Sequence, residues 1–85
     1  MREDIRDAKK QKIGSIDRSL NGRVVVYNKM NNKLGEIRPN GNYLVAYDKN
    51  GRKMAQWYEK DNCTYDNSGR KIAKGNILLD LYFQG

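Results

Sequence analysis

The apolar residues of this chain lie in short runs, each bounded by Asn, Gly or Asp. Clear examples are residues 24–27, 43–47 and 77–79. Short apolar runs between turn-forming residues are typical of β-strands joined by tight turns. The pattern therefore predicts an all-β protein whose strands follow one another along the chain.

A sequence repeat organises these strands. The unit reads Tyr-[Asp/Asn]-x-x-[Gly/Asn]-x-Lys-apolar-small, and it begins at Tyr27, Tyr47 and Tyr65, which are 20 and 18 residues apart. The same spacing starts at Arg6, with arginine in place of tyrosine. A period of this length indicates one supersecondary unit per repeat.

Each unit contains the residues of a tight hairpin turn. The Asp or Asn caps the turn with its side chain, and the Gly or Asn three residues later accepts the left-handed backbone of a bulged type I turn. The small last residue leaves room for a neighbouring strand or for a large side chain. The units thus predict an antiparallel meander of about seven or eight short strands, built from tandem hairpins of about 20 residues.

The first repeat is ambiguous. Residues 1–12 carry Asp4, Asp7 and several lysines, which also suit the start of a charged helix. Lys10 stands where the other copies have Asn or Gly. The alignment with later units favours a hairpin, and a helix or a disordered segment is the alternative.

Several strands are apolar on both faces, so both faces should be covered. The meander could close as a small barrel or a sandwich, or bury a face by self-association. We expect a homo-oligomer, or a complex with another protein. Residues 1–80 are expected to form a single β-repeat domain. Residues 81–85 match the end of a common protease-cleavage tag and are expected to be a tag remnant; a native last strand is the alternative.

Composition narrows the chemistry. The chain has 85 residues, 17 Lys and Arg against 10 Asp and Glu, a net charge of +7, no histidine and one cysteine. Histidine-dependent catalysis and an internal disulfide are excluded. We expect no enzymatic activity, no cofactor and no bound metal. No apolar run has the length of a membrane span and the N-terminus has no signal-like segment, which favours a cytoplasmic location.

The charged and aromatic positions of the unit are candidate ligand contacts. A stripe of cations could bind phosphates, and exposed aromatic rings could stack on bases. Surface lysines that keep a β-protein soluble, and tyrosines that pack across strands, are the simpler explanation. Trp57 is expected mainly in the core. The candidates are Lys12, Lys33, Lys53, Lys71, Arg52 and Arg70 for polyanion binding, and Tyr27, Tyr47, Tyr65 and Trp57 for stacking.

The units resemble two kinds of repeat protein. Residues 47–52 and 65–70 match the Tyr-Asp-x-x-Gly-Arg core of the YD-type repeats of large secreted toxin and adhesion proteins. Residues 21–24 and 33–37 are similar to small uncharacterised bacterial proteins made of tandem short β-hairpin units. The second resemblance spans residues 5–75 and implies a β-repeat fold without any catalytic residue.

These observations favour a non-catalytic structural or protein-interaction module. The alternative is a small basic protein that binds nucleic acid or another polyanion through the lysine positions and exposed aromatic rings.

Overall fold

The computed structural model describes residues 2–83. Eight antiparallel strands form one sheet in which the spatial order equals the sequence order, so the predicted meander is confirmed. The first strand pairs with the second, which confirms the predicted first hairpin over residues 2–12 and excludes a helix there. The strands are β1 (Arg2–Arg6), β2 (Lys12–Arg18), β3 (Val24–Asn28), β4 (Lys33–Asn40), β5 (Tyr43–Asp48), β6 (Lys53–Tyr58), β7 (Cys63–Asp66) and β8 (Lys71–Lys74).

The four hairpin turns within the sequence units share one geometry. At Asp48, for example, Oδ1 accepts hydrogen bonds from the N–H groups of Asn50 and Arg52, each at 2.9 Å. The corresponding residues Asp7, Asn28 and Asp66 make the same pair of bonds. The turn residue with positive φ is Lys10, Asn31, Gly51 or Gly69. The turn predicted from the sequence is therefore present in all four units, even where lysine replaces glycine.

Every one of these hairpins also contains a β-bulge at the same position. Val26 pairs with Gly35 and Tyr27 pairs with Lys33, which leaves Leu34 without a cross-strand partner. The equivalent extra residues are Ile13, Met54 and Ile72. A bulge bends its strand and increases the local twist.

A short helix, α1 (Leu78–Leu81), packs on one face of the sheet. Leu78 is fully buried against Ile37, Ala46 and Ala55. One expectation is corrected here, because the apolar run 77–79 leads into a helix instead of a strand. Of the ways to cover the sheet that the sequence left open, closure into a barrel is not adopted by the described residues, and α1 covers one face.

Residues after α1 continue across the same face. The Tyr82 ring lies over Gly35 and the Phe83 ring lies over Gly14, two of the small positions of the sequence unit. The Tyr82 hydroxyl donates to the carbonyl oxygens of Tyr47 at 2.7 Å and Glu36 at 3.1 Å. The small residues thus make room for large side chains that come from the end of the chain. The origin of residues 81–85 as a tag remnant stays a prediction, and residues 84 and 85 lie outside the described range.

Candidate functional site

The face of the sheet opposite α1, called the open face below, gathers the lysines and tyrosines of the sequence unit. Cross-strand pairing sets Tyr27 opposite Lys33. Residues that pair directly across two strands have their side chains on the same face. The same pairing joins Tyr47 to Lys53 and Tyr65 to Lys71, and in the first hairpin Arg6 to Lys12. The three tyrosines and four lysines are called the ladder from here on.

Two arginines lie against the ladder tyrosines. The guanidinium carbon of Arg2 is 3.9 Å from the centre of the Tyr27 ring, and that of Arg38 is 5.0 Å from the centre of the Tyr47 ring. At these distances a cation is attracted to the face of an aromatic ring. Each of the two rings therefore has an arginine against it and a lysine across the strand from it.

The third ladder tyrosine is held differently. The Tyr65 ring packs edge-on against Tyr58 at 5.4 Å between ring centres, and Tyr58 in turn lies 5.1 Å from Tyr43. The Tyr65 hydroxyl donates a hydrogen bond to the Asp61 carboxylate. That hydrogen bond is the main cause that raises the pKa of Tyr65 to about 12.

Glu36 is the buried acid of the open face. Its side chain is only 9% exposed, and it is surrounded by Arg38 at 2.6 Å, Arg23 at 3.4 Å and Lys33 at 4.0 Å. The hydrogen bond from Arg38 lowers the pKa of Glu36, with smaller contributions from the charges of Arg38, Lys33 and Arg23, while burial opposes them. The carboxylate stays ionised and fixes these cations on the sheet surface.

The lysines of the ladder differ in how far they are already neutralised. Lys12 lies 3.5 Å from Asp4, and Lys33 lies near Glu36. Lys53 and Lys71 are exposed, and neither makes an ion pair with any residue in the range 2–83. The last two hairpins therefore offer the most accessible positive charge on this face.

Three sequence candidates lie away from the ladder. The N–H groups of Arg52 and Arg70 bond to the turn aspartates, so both residues stand at hairpin turns, one position before the ladder lysines. Both residues precede the strands that carry the ladder lysines, since β6 begins at Lys53 and β8 at Lys71. Trp57 packs beside the core under α1, and its indole N–H donates to Asn62 Oδ1 at 2.9 Å.

Residues that the sequence unit did not single out complete the site. Arg2, Arg38 and Glu36 meet the ladder only through strand register. β4 pairs directly with β3 and β5, whereas β1 is separated from β3 by β2. The one usable signal was Glu36 and Arg38 two residues apart in a predicted strand, since such neighbours share a face.

The described residues were also compared with the requirements of a metal site and of a membrane-spanning helix. No three His, Cys, Asp or Glu side chains in residues 2–83 come together in a way that could hold a metal ion. Within the same range, no helix has the length and apolar character that a membrane crossing requires. Comparison with protein families, with curated proteins and with solved structures finds no match for this chain.

Proposed function

We propose that this chain is a non-catalytic binding module whose open face holds a polyanion. The proposal rests on one observation above all: four lysines and three tyrosines of the sequence unit share one uncovered face as cross-strand neighbours. The net charge of +7 adds a general attraction for anions.

The physical basis is the gain from releasing counterions. Phosphates or sulfates that approach the ladder replace small ions, so binding is strong at low salt and weakens as salt increases. Lys53 and Lys71 should contribute most, because they lose no partner within the described structure when they bind. The buried Glu36 has the opposite effect, since its charge is neutralised by cations that would otherwise face the ligand.

A charge-matched pair of variants tests this proposal. K53Q/K71Q removes two ladder cations, and K49Q/K60Q removes two exposed lysines at hairpin turns. Both variants lower the net charge of +7 by two. Anisotropy of labelled single-stranded DNA, duplex DNA and heparin at low salt gives the affinities. We expect K53Q/K71Q to bind at least one of these polyanions several-fold more weakly than K49Q/K60Q.

Two outcomes would contradict the proposal. If the unmodified chain binds none of the three polyanions at low salt, the open face has another role. If the two variants lose affinity equally, the attraction comes from net charge and not from the ladder.

Self-association is a second candidate, because the sheet is open and β1 and β8 each have a single neighbour within the described residues. β8 carries Lys71 and Lys74, and β1 carries Glu3 and Asp4 between Arg2 and Arg6. A head-to-tail pairing that sets the two acids opposite the two lysines would bring opposite charges together. Light scattering during gel filtration should then give a mass above the 9.9 kDa of one chain. A monomer at all concentrations would contradict this candidate.

A further inference from the structure

We infer that the polyanion is a single-stranded nucleic acid, which crosses the open face diagonally and stacks its bases on the ladder tyrosines and on the arginines that lie over two of them. This inference rests on the proposed function and adds the class of ligand. A sulfated polysaccharide or the outside of a duplex would use the lysines alone, whereas unpaired bases would also use the rings.

The register of the sheet places the tyrosines on a regular path. Gly35 in β4 pairs with Val26 in β3 and with Asp48 in β5, so these three residues lie side by side across the sheet. Tyr27 follows Val26 along the chain and Tyr47 precedes Asp48, which offsets the two tyrosines by two residues along the strands. Ala55 pairs with both Ala46 and Asp66, which gives the same offset between Tyr47 and Tyr65. Each step along the ladder therefore moves two strands across the sheet and two residues along it.

These offsets translate into a distance. Two strand spacings are roughly 9.6 Å and two residues along a strand are roughly 6.8 Å, so successive tyrosines are about 12 Å apart before twist. Three rings then span about 24 Å, and the lysine pairs follow the same diagonal. Bases and phosphates alternate along a single strand, as rings and ammonium groups do along this path.

The chemistry of each step suits an unpaired base. An arginine guanidinium lies over each of the half-buried rings of Tyr27 and Tyr47. A guanidinium plane stacks on bases as an aromatic ring does, so at these two steps a base would stack on the arginine that the ring supports. A lysine across the strand from each tyrosine is then available for the adjacent phosphate. In a duplex the bases stack on one another, so the rings have no base to contact.

The first experiment compares ligands on the unmodified chain. The probes are an oligothymidylate, an abasic strand of the same length and charge, and a duplex. Stacking contributes roughly 1–3 kcal/mol per base, so one stacked base already gives at least about fivefold tighter binding of the oligothymidylate over the abasic strand. Equal affinities for these two strands would overturn the inference and leave the proposed polyanion function intact, whereas absence of binding by every probe would remove the proposed function itself.

The second experiment locates the contact. Tyr47→Leu removes a ladder ring, and Tyr43→Leu makes the same change on the same face away from the ladder. We expect Tyr47→Leu to weaken oligothymidylate binding at least fivefold more than Tyr43→Leu, with no such difference for the abasic strand. Equal effects of the two substitutions would overturn the inference.

A measurement that needs no substitution covers the case in which a variant does not fold. In NMR spectra of the unmodified chain, oligothymidylate should shift the ring signals of the ladder tyrosines and leave the Trp57 indole signal in place, because Trp57 lies on the opposite face. Shifts at Trp57 without shifts at the tyrosines would overturn the inference.

Discussion

Replacing Gly35 by alanine should destabilise this protein markedly. A Cβ atom at residue 35 would overlap the carbonyl oxygen of Tyr47 and would stand 2.7 Å from the Tyr82 ring. The carbonyl belongs to the paired strand β5 and cannot move without disturbing the sheet. Inserting a methyl group into such a packed place costs typically about 1–3 kcal/mol, and a backbone obstacle favours the upper end.

This cost is large compared with the total stability. A chain of 85 residues has an unfolding free energy of about 4–13 kcal/mol. A loss of about 3 kcal/mol lowers the melting temperature of a domain of this size by roughly 12–24 °C. Thermal unfolding followed by circular dichroism measures the change directly.

Two further variants test whether the Tyr47 carbonyl oxygen, and not the Tyr82 ring, causes the loss of stability. Gly51→Ala serves as the control, because no atom lies within 4 Å of a Cβ there and only its φ of +85° disfavours alanine, at about 1–2 kcal/mol. Adding Tyr82→Ala to Gly35→Ala should not restore stability, since the Tyr47 carbonyl still obstructs the methyl group. The reasoning is refuted if Gly35→Ala costs no more than Gly51→Ala, or if removal of the Tyr82 ring restores the melting temperature.

Substitutions at three other residues test separate parts of the structure. Tyr82→Phe removes the donor to two carbonyl oxygens and should lower the unfolding free energy by about 1 kcal/mol in denaturant titrations, whereas no change would indicate that the hydroxyl is solvated in both states. Asp48→Ala should cost about 1–2 kcal/mol in the same assay, and Asp48→Asn should cost much less because Asn28 makes the same two turn bonds. The folded-state pKa of Glu36 is lowered below its ordinary value of 4.5, so its contribution to stability is present above that pH and is lost as the pH falls through the folded pKa. Glu36→Gln should therefore flatten the acid side of the stability–pH curve, and an unchanged acid slope would contradict the role assigned to the Arg38 hydrogen bond.

The hairpins could be predicted from the sequence because their information is local. An Asp or Asn at the turn start and a residue that tolerates positive φ three positions later specify the turn, whatever lies elsewhere in the chain. Even Lys10 follows the pattern, with a φ of 65°, because the Asp7 carboxylate accepts hydrogen bonds from two backbone N–H groups of the turn. The strand order followed directly, since short turns join neighbouring antiparallel strands.

The covering of the sheet could not be predicted in the same way. Residues 77–79 are apolar, and a run of three cannot distinguish a buried strand from a buried helix. The placement of Tyr82 over Gly35 depends on contacts between residues far apart in sequence. Small residues at one position of each unit indicated that something large would fit there, but not which segment would supply it.

The candidate site likewise has one part that the sequence repeat predicts and one part that only the three-dimensional structure places. The ladder lysines and tyrosines could be named because one repeat position gives one place on the sheet. The arginines over the rings depend on strand register, across three strands for Arg2 and across two for Arg38, which the sequence alone did not specify. Arg52 resembles the ladder lysines in type, yet it stands at a hairpin turn. Trp57 resembles the ladder tyrosines, yet it packs against the core on the face that carries α1.

The central claim is that the open face binds a polyanion through the ladder, and the salt dependence of binding tests it most directly. If four lysines each contact one phosphate of a single strand, the slope of log affinity against log salt concentration should be about −3 for the unmodified chain. K53Q/K71Q should reduce the slope to about −1.4, and K49Q/K60Q should leave it near −3. Identical slopes for the two variants, or no binding at low salt, would contradict the claim.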